Sequence, residues 1–172
     1  RLVNKNYRVV TSTYAGCLYF PGFNKIEIKT NKGNLECNNK NFYSKKKQLL
    51  DKKSIILFGG RLPLYLNTTY FDNKEGGIEG GQWNFKFVST GKYNDISSSF
   101  KNEILEISKT NKIILLYPIP EVGYDTFLKI YNQWLKERLN KKFTFKDNTT
   151  SYKVYRDRTR SSFELLNSIQ GE

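Results

Sequence analysis

Three short apolar runs, Tyr7–Val10, Ile55–Phe58 and Ile113–Tyr117, constrain the fold of this chain more than anything else in its sequence. Each is β-branched or aromatic, each is too short for a stable helix, and each runs straight into residues that suit loops, so each reads as a buried strand. Helical patterns separate them. Phe42–Asp51 is one. Asp95–Lys109 is another, with Asp95 suited to an N-cap and Ile96, Phe100, Ile104 and Ile107 recurring on one face. After the third run, Tyr124, Phe127, Leu128, Tyr131, Trp134 and Leu135 trace an amphipathic helix, and Tyr152, Tyr155, Phe163, Leu166 and Ile169 trace a last one. Strands alternating with helices pair in parallel through right-handed crossovers, which predicts an α/β chain built as a three-layer α/β/α sandwich around a parallel sheet. Residues Gly59–Asn94 break the alternation, and Gly76, Gly77, Gly80 and Gly81 predict a long loop there.

The 172 residues contain no His. No Ser-His or Cys-His couple, His metal ligand or His-based pH switch can be assembled from this chain alone. Cys17 and Cys37 are too few and too far apart for a zinc site without His, so no metal is expected. Two readings of the pair stand open: a disulfide closing a loop of about 20 residues, or two buried thiols.

The chain carries 29 Lys+Arg against 16 Asp+Glu, a net charge of +13. The excess lies before residue 54 and after residue 135, and the middle is balanced. Lys45-Lys46-Lys47 and the run Arg156–Arg160 suit phosphate contacts. No helix-turn-helix, zinc-finger, RRM or KH pattern accompanies them, so nucleic acid is not an expected partner, and the basic ends read as a solvated face or one drawn to an anionic surface. Gly76-Gly77-Ile78-Glu79-Gly80-Gly81 lacks the Lys-Ser/Thr of a phosphate loop, and no cofactor is expected. Asp72 and Glu75 are carboxylates of a type glycosidases use, but their spacing does not set them apart from solvated loop residues. Asn67-Thr68-Thr69 and Asn148-Thr149-Thr150 fit the glycosylation acceptor pattern, which has meaning only in a eukaryotic secretory route. The longest apolar runs fall far short of the roughly 18 to 20 residues of a spanning helix.

In an open parallel sheet, ligands collect beyond the carboxyl ends of the strands. Three loops leave those ends: Thr11 to Cys17, Gly59 to Pro63, and Pro118 to Gly123. They bring Gly16, Arg61 and Glu121 to one rim. A backbone N–H beside Gly16 suits an oxyanion, Arg61 a carboxylate or a polarised carbonyl, and Glu121 either Arg61 or a hydroxyl. The plainer alternatives are a turn glycine, a surface arginine and a loop glutamate.

The run Ser54-Ile-Ile-Leu-Phe-Gly-Gly-Arg-Leu-Pro-Leu-Tyr-Leu66, then Glu75-Gly76-Gly77, then Leu116-Tyr-Pro-Ile-Pro-Glu-Val-Gly123 resembles the SGNH domain fused to the C-terminus of bacterial acyltransferase type 3 membrane proteins. Residues 152–166 resemble the helix that precedes the catalytic Asp-x-x-His segment of that family. The resemblance implies an SGNH-hydrolase-like (flavodoxin-like) fold with residues 1–172 as the interior of a single domain. Its Gly-Asp-Ser nucleophile strand would precede Arg1 and its Asp-x-x-His would follow Glu172, which accounts together for the absence of His and for a second absence, that of any Met in the 172 residues. No catalytic residue is then expected within the chain, and the piece alone is expected to be inactive and poorly stable.

The resemblance further implies an oxyanion-hole role for Gly16 and substrate-site roles for Arg61 and Glu121. Arg61 stands where the family normally has an Asn. The implied partners are an acyl donor, a cell-surface polysaccharide such as O-antigen, and a membrane domain upstream in the same polypeptide. The implied location is the extracytoplasmic, periplasmic face, where a Cys17–Cys37 disulfide persists. The competing function is a non-catalytic basic α/β module that binds an anionic glycan.

Overall fold

A computed structural model describes residues 9, 11, 16–33, 37, 53–75, 77–123, 126–139 and 149–170. In chain order they form β1 (Phe23–Glu27), β2 (Ile55–Phe58), α1 (Leu62–Leu66), β3 (Phe85–Ser89), α2 (Ile96–Ser108), β4 (Lys112–Leu115), α3 (Thr126–Arg138) and α4 (Tyr152–Gln170). The chain is α/β. Strands β2 and β4 pair in parallel, Ile55 opposite Lys112 and Phe58 opposite Leu115. Parallel neighbours need a long crossover, and the chain between them holds α1, β3 and α2. One face of this pair carries Ile56, Phe58, Ile113 and Leu115 into the core. Ile55, Leu57 and Ile114 on the other face remain exposed.

Two expectations need correction. Residues 59–94 are not one long loop: α1 and β3 lie within them. Nor is the described sheet wholly parallel, because β1 and β3 form a separate antiparallel pair, Phe23 opposite Ser89 and Glu27 opposite Phe85. The alternation Phe85-Lys86-Phe87 is a period-2 strand signal, masked in the sequence by the glycines before it. Strand β1 gives almost no signal, because one of its buried positions is a lysine, Lys25. Of the expected strand at residues 7–10 only Val9 is described, and it is exposed. The expected helix at 42–51 lies outside the described residues.

Helix α2 forms where its pattern places it. The Asp95 carboxylate accepts from the backbone N–H of Ser98 at 2.8 Å, satisfying one of the free donors of the first turn, and Phe100, Ile104 and Ile107 are buried. Helix α4 buries Thr159, Ser162, Leu165, Leu166 and Ile169 instead of the whole expected stripe. Tyr152 is 71% exposed because the first turn of this 19-residue helix extends past the core.

The core gathers around Phe20, which is 1% exposed and meets Tyr65, Phe87 and Phe100 edge-on, the geometry that aromatic quadrupoles favour. Leu62 and Leu64 of α1, Ile104 of α2, and Leu165 and Leu166 of α4 close around it. A Cys17–Cys37 disulfide, with Cα atoms 5.3 Å apart, ties the segment that delivers Phe20 to residue 37.

Candidate functional site

Because β2 and β4 run the same way, their carboxyl ends open onto one rim. Strand β2 passes through Gly59 and Gly60 into Arg61 and α1, whose first turn holds Pro63. A side chain at Gly59 would sit 2.9 Å from Leu116 Cδ1, so a glycine lets the two strand ends lie this close. Strand β4 leads through Pro118 and Pro120 to Glu121. Two residues 60 apart in sequence thereby meet: Arg61 Nε donates to Glu121 Oε1 at 2.9 Å, and its Nη2 contacts the same oxygen.

Sequence reading did not place two further members of the cluster. Glu79 accepts two parallel bonds from Arg61, from Nη1 at 2.9 Å and from Nη2 at 2.7 Å, and also accepts from the Phe71 N–H. Arg158 of α4 donates from Nε to Glu121 Oε2 at 2.8 Å and from Nη1 and Nη2 to the Thr69 hydroxyl and carbonyl. Glu79 sits inside a glycine-rich run that reads as loop. Arg158 sits inside a basic run that reads as a solvated or phosphate-binding face, yet its side chain is only 10% exposed. The inward turn every third or fourth helical residue makes was the available signal.

Two guanidinium groups thus balance two carboxylates. The Arg61 hydrogen bonds hold the Glu79 carboxyl below the usual carboxylate range, and the same contacts, Glu79 first, hold the Arg61 guanidinium above its ordinary value. The planar fork of Arg61 has five N–H donors, and four are directed at Glu79 and Glu121. It therefore acts first as a clasp between the β2 turn, the 79 region and the β4 rim, with one Nη1 hydrogen left for a ligand. Over this clasp opens a cavity of about 480 Å³, walled by Arg61, Ile78, Glu79, Pro120, Glu121 and Val122 among others.

The rim is locked from behind. A Cβ on Gly77 would lie 2.4 Å from the Val122 carbonyl oxygen, and one on Gly123, at φ +69°, would lie 2.4 Å from the Gly77 carbonyl oxygen. Asn73, 1% exposed, accepts from the N–H groups of Glu75 and Gly77 at 2.8 and 2.7 Å, and its amide donates to the Thr150 hydroxyl. That hydroxyl donates to the Glu121 carbonyl at 2.9 Å. Hydrogen bonds and close contacts thus join residues 71–75 and 77–79 to the 118–123 rim and the entry to α4.

Gly16 is not among the walls of this cavity. It takes φ +72°, and its carbonyl accepts from Lys25 Nζ at 2.7 Å. In a trans peptide the following N–H, that of Cys17, points away from that lysine. Lys25 itself is 6% exposed, with its ammonium over the Phe85 ring at 4.2 Å and near Tyr65 and Trp83. Burial pushes its pKa below the ordinary lysine value. The acidic pair has structural work: Asp72 is held by Lys74, and Glu75 accepts from the Ser151 N–H. The Asn67 amide is occupied at both ends, donating to the Arg158 carbonyl and accepting from Ser161; Asn148 lies outside the described residues. Among the described residues, no group of three or more His, Cys, Asp or Glu is placed to hold a metal ion, and no helix is long and apolar enough to cross a membrane.

Fold and site together define an α/β domain with an ion-bonded rim at the carboxyl ends of a parallel strand pair. Residues 2–171 match the family described as "SGNH domain (fused to AT3 domains)", and the chain belongs to that family. Membership ties it to acyltransferase-3 proteins and hence to membrane-associated acyltransferase function. No curated protein and no solved structure matches the chain.

Proposed function

We propose that these residues are the interior of a single SGNH domain, a three-layer α/β/α sandwich, in an O-acyltransferase that moves an acetyl or related acyl group to hydroxyls of a cell-surface polysaccharide at the extracytoplasmic face of a bacterial membrane. The observation that carries the reading is the Arg61–Glu121–Arg158 clasp at the carboxyl ends of β2 and β4, in a chain of this family. The apolar outer face of the β2/β4 pair supports a further layer there, since parallel sheets are normally covered on both sides.

In this mechanism a serine on a Gly-Asp-Ser strand and a histidine on an Asp-x-x-His segment, both outside these 172 residues, form and break the covalent ester. The serine oxygen attacks the donor carbonyl as the imidazole takes its proton. The imidazolium then returns the proton to the leaving group, and the sugar hydroxyl repeats the cycle on the acyl-serine. The peptide after Gly16, pinned by Lys25, offers an N–H to the tetrahedral oxyanion. The rim residues Arg61 and Glu121 shape the acceptor site, where the remaining Arg61 donor can meet a sugar hydroxyl.

The test is the surface polysaccharide of cells carrying the intact protein, compared by mass spectrometry with cells carrying Glu121→Gln or a disrupted gene. Ester-linked acyl groups should vanish on disruption and fall severalfold with Glu121→Gln. Unchanged acylation after disruption refutes the reading. Glycan binding by the purified chain without any change in acylation would support the non-catalytic module instead.

A further inference from the structure

Helix α3 leaves most of its apolar side uncovered by the described residues. On a 100° helical projection Phe127, Ile130, Tyr131, Trp134 and Leu135 share one side, and Lys129, Asn132, Gln133 and Lys136 share the other. A helix packed on a core buries the first set. Here Phe127 is 80% exposed, Ile130 54%, Tyr131 46% and Trp134 48%, and no other described helix or strand packs along the element. Leu135 is half-buried, as are Lys129 and Gln133 on the polar side, whereas Asn132 and Lys136 are exposed. The Tyr131 and Trp134 rings stack at 6.0 Å, and the Arg138 guanidinium lies 5.2 Å over the Trp134 ring at the carboxyl end.

We propose that α3 lies in the surface of an anionic lipid bilayer, with its aromatic side among the acyl chains and headgroups. Three properties select that occupant. Large aromatic rings with a polar edge partition to the membrane–water interface. The helix carries Lys129, Lys136 and Arg138 against Glu137, and the sequence continues with Lys141, Lys142 and Lys146 against Asp147, so its charge complements anionic headgroups and opposes a like-charged second copy. The family is one of domains fused to AT3 domains, which places a bilayer within reach. At 13 residues the helix is too short to span and long enough to lie flat. The inference rests on family membership and on the exposure of α3, and it is independent of acyl transfer.

The experiment uses the full chain and vesicles of phosphatidylethanolamine with phosphatidylglycerol, compared with phosphatidylcholine alone. Flotation should show binding to the anionic vesicles at least tenfold tighter, weakening as salt is raised. Brominated acyl chains should quench a tryptophan signal that Trp134→Phe removes and that Trp83 does not replace. Phe127→Ser with Ile130→Ser should cut binding at least tenfold, while far-UV circular dichroism and the melting profile stay unchanged, since both side chains are exposed. Binding indifferent to lipid charge, or no bromine quenching of Trp134, overturns the proposal. So does a lipid-free dimer that the same double substitution dissociates, which would make a second copy the occupant. A Trp134 emission already blue-shifted in the lipid-free chain would show that the chain covers its own helix, and overturns it equally. Loss of acylation with intact vesicle binding would count against the proposed activity alone.

Discussion

Replacing Gly123 by alanine tests the rim lock at its tightest point. At φ +69° an alanine costs roughly 1 to 2 kcal/mol in backbone strain. Its Cβ would also lie 2.4 Å from the Gly77 carbonyl oxygen, 2.6 Å from the carbonyl carbon and 2.9 Å from Phe71 Cδ1. Two of these are backbone atoms, which no rotamer change can remove, so loop 71–79 or the 118–123 rim has to shift. Overpacking of this kind costs typically 1 to 3 kcal/mol. The combined loss is about 3 kcal/mol, or a fall in melting temperature of roughly 6 to 12 °C for a domain of this size. Gly80→Ala is the control, because nothing lies within 4 Å of a Cβ there, and it should stay within about 0.5 kcal/mol of the parent. Urea unfolding followed by tryptophan fluorescence, with slopes compared as well as midpoints, reads both variants. The Gly77→Ala partner, whose Cβ would sit 2.4 Å from the Val122 oxygen, pries apart the same two segments, so its loss should be less than additive with that of Gly123→Ala. If Gly123→Ala and Gly80→Ala unfold at the same denaturant concentration, the two loops are not in the contact described.

Arg158→Ala should cost about 3 to 5 kcal/mol, because it leaves Glu121, whose side chain is 11% exposed, with a single and more exposed cationic partner; unfolding within 1 kcal/mol of the parent argues against a buried pair. The lowered pKa of Glu79 means that the unfolded chain binds more protons than the folded one around that value. Its contribution is therefore complete above the unfolded carboxylate range, near pH 4.3, and is lost as pH falls through the depressed folded value. Glu79→Gln should flatten that acid limb, and an unchanged limb in a pH series of melts would show that the Arg61 contact contributes nothing. Reduction of Cys17–Cys37 should lower stability by roughly 3 kcal/mol, as expected for a loop of this length, and thiol alkylation before and after reduction checks that the bridge is formed. The chain alone, having no histidine, should not hydrolyse p-nitrophenyl acetate above the uncatalysed rate; clear turnover that survives purification would contradict the proposed division of the catalytic groups.

Helix α2 was legible because all its information is local: Asp95 meets the donors of its own first turn, and Phe100, Ile104 and Ile107 repeat at the helical period. Strands β2 and β4 were legible for a similar reason, each a short apolar run ending in loop residues. Strand β1 was not, because a lysine at a buried position cannot be read as core until the ring beneath it, Phe85, 60 residues further along the chain, is seen. The expected loop over residues 59–94 failed for a related cause: among the described residues β3 is paired with β1, a partner some 60 residues earlier in the chain. At the site, Arg61 and Glu121 were found from the rule that strand ends gather ligands. Glu79 and Arg158 were not, since their neighbours in sequence say loop and basic surface.

The sequence by itself determined what concerns near neighbours and presence or absence: short strands alternating with amphipathic helices, and a set of side chains with no imidazole to run a hydrolytic couple. Only the tertiary structure decided which charges meet. Whether Arg158 faces water or Glu121, whether Arg61 is a free cation or a clasp with one donor left, and whether the aromatic side of α3 points inward or outward depend on orientation about a helix axis and on contacts between residues 18 to 60 positions apart. Local pattern carries no record of those. They follow from the free energy of placing each group beside partners that are close only after the chain has folded.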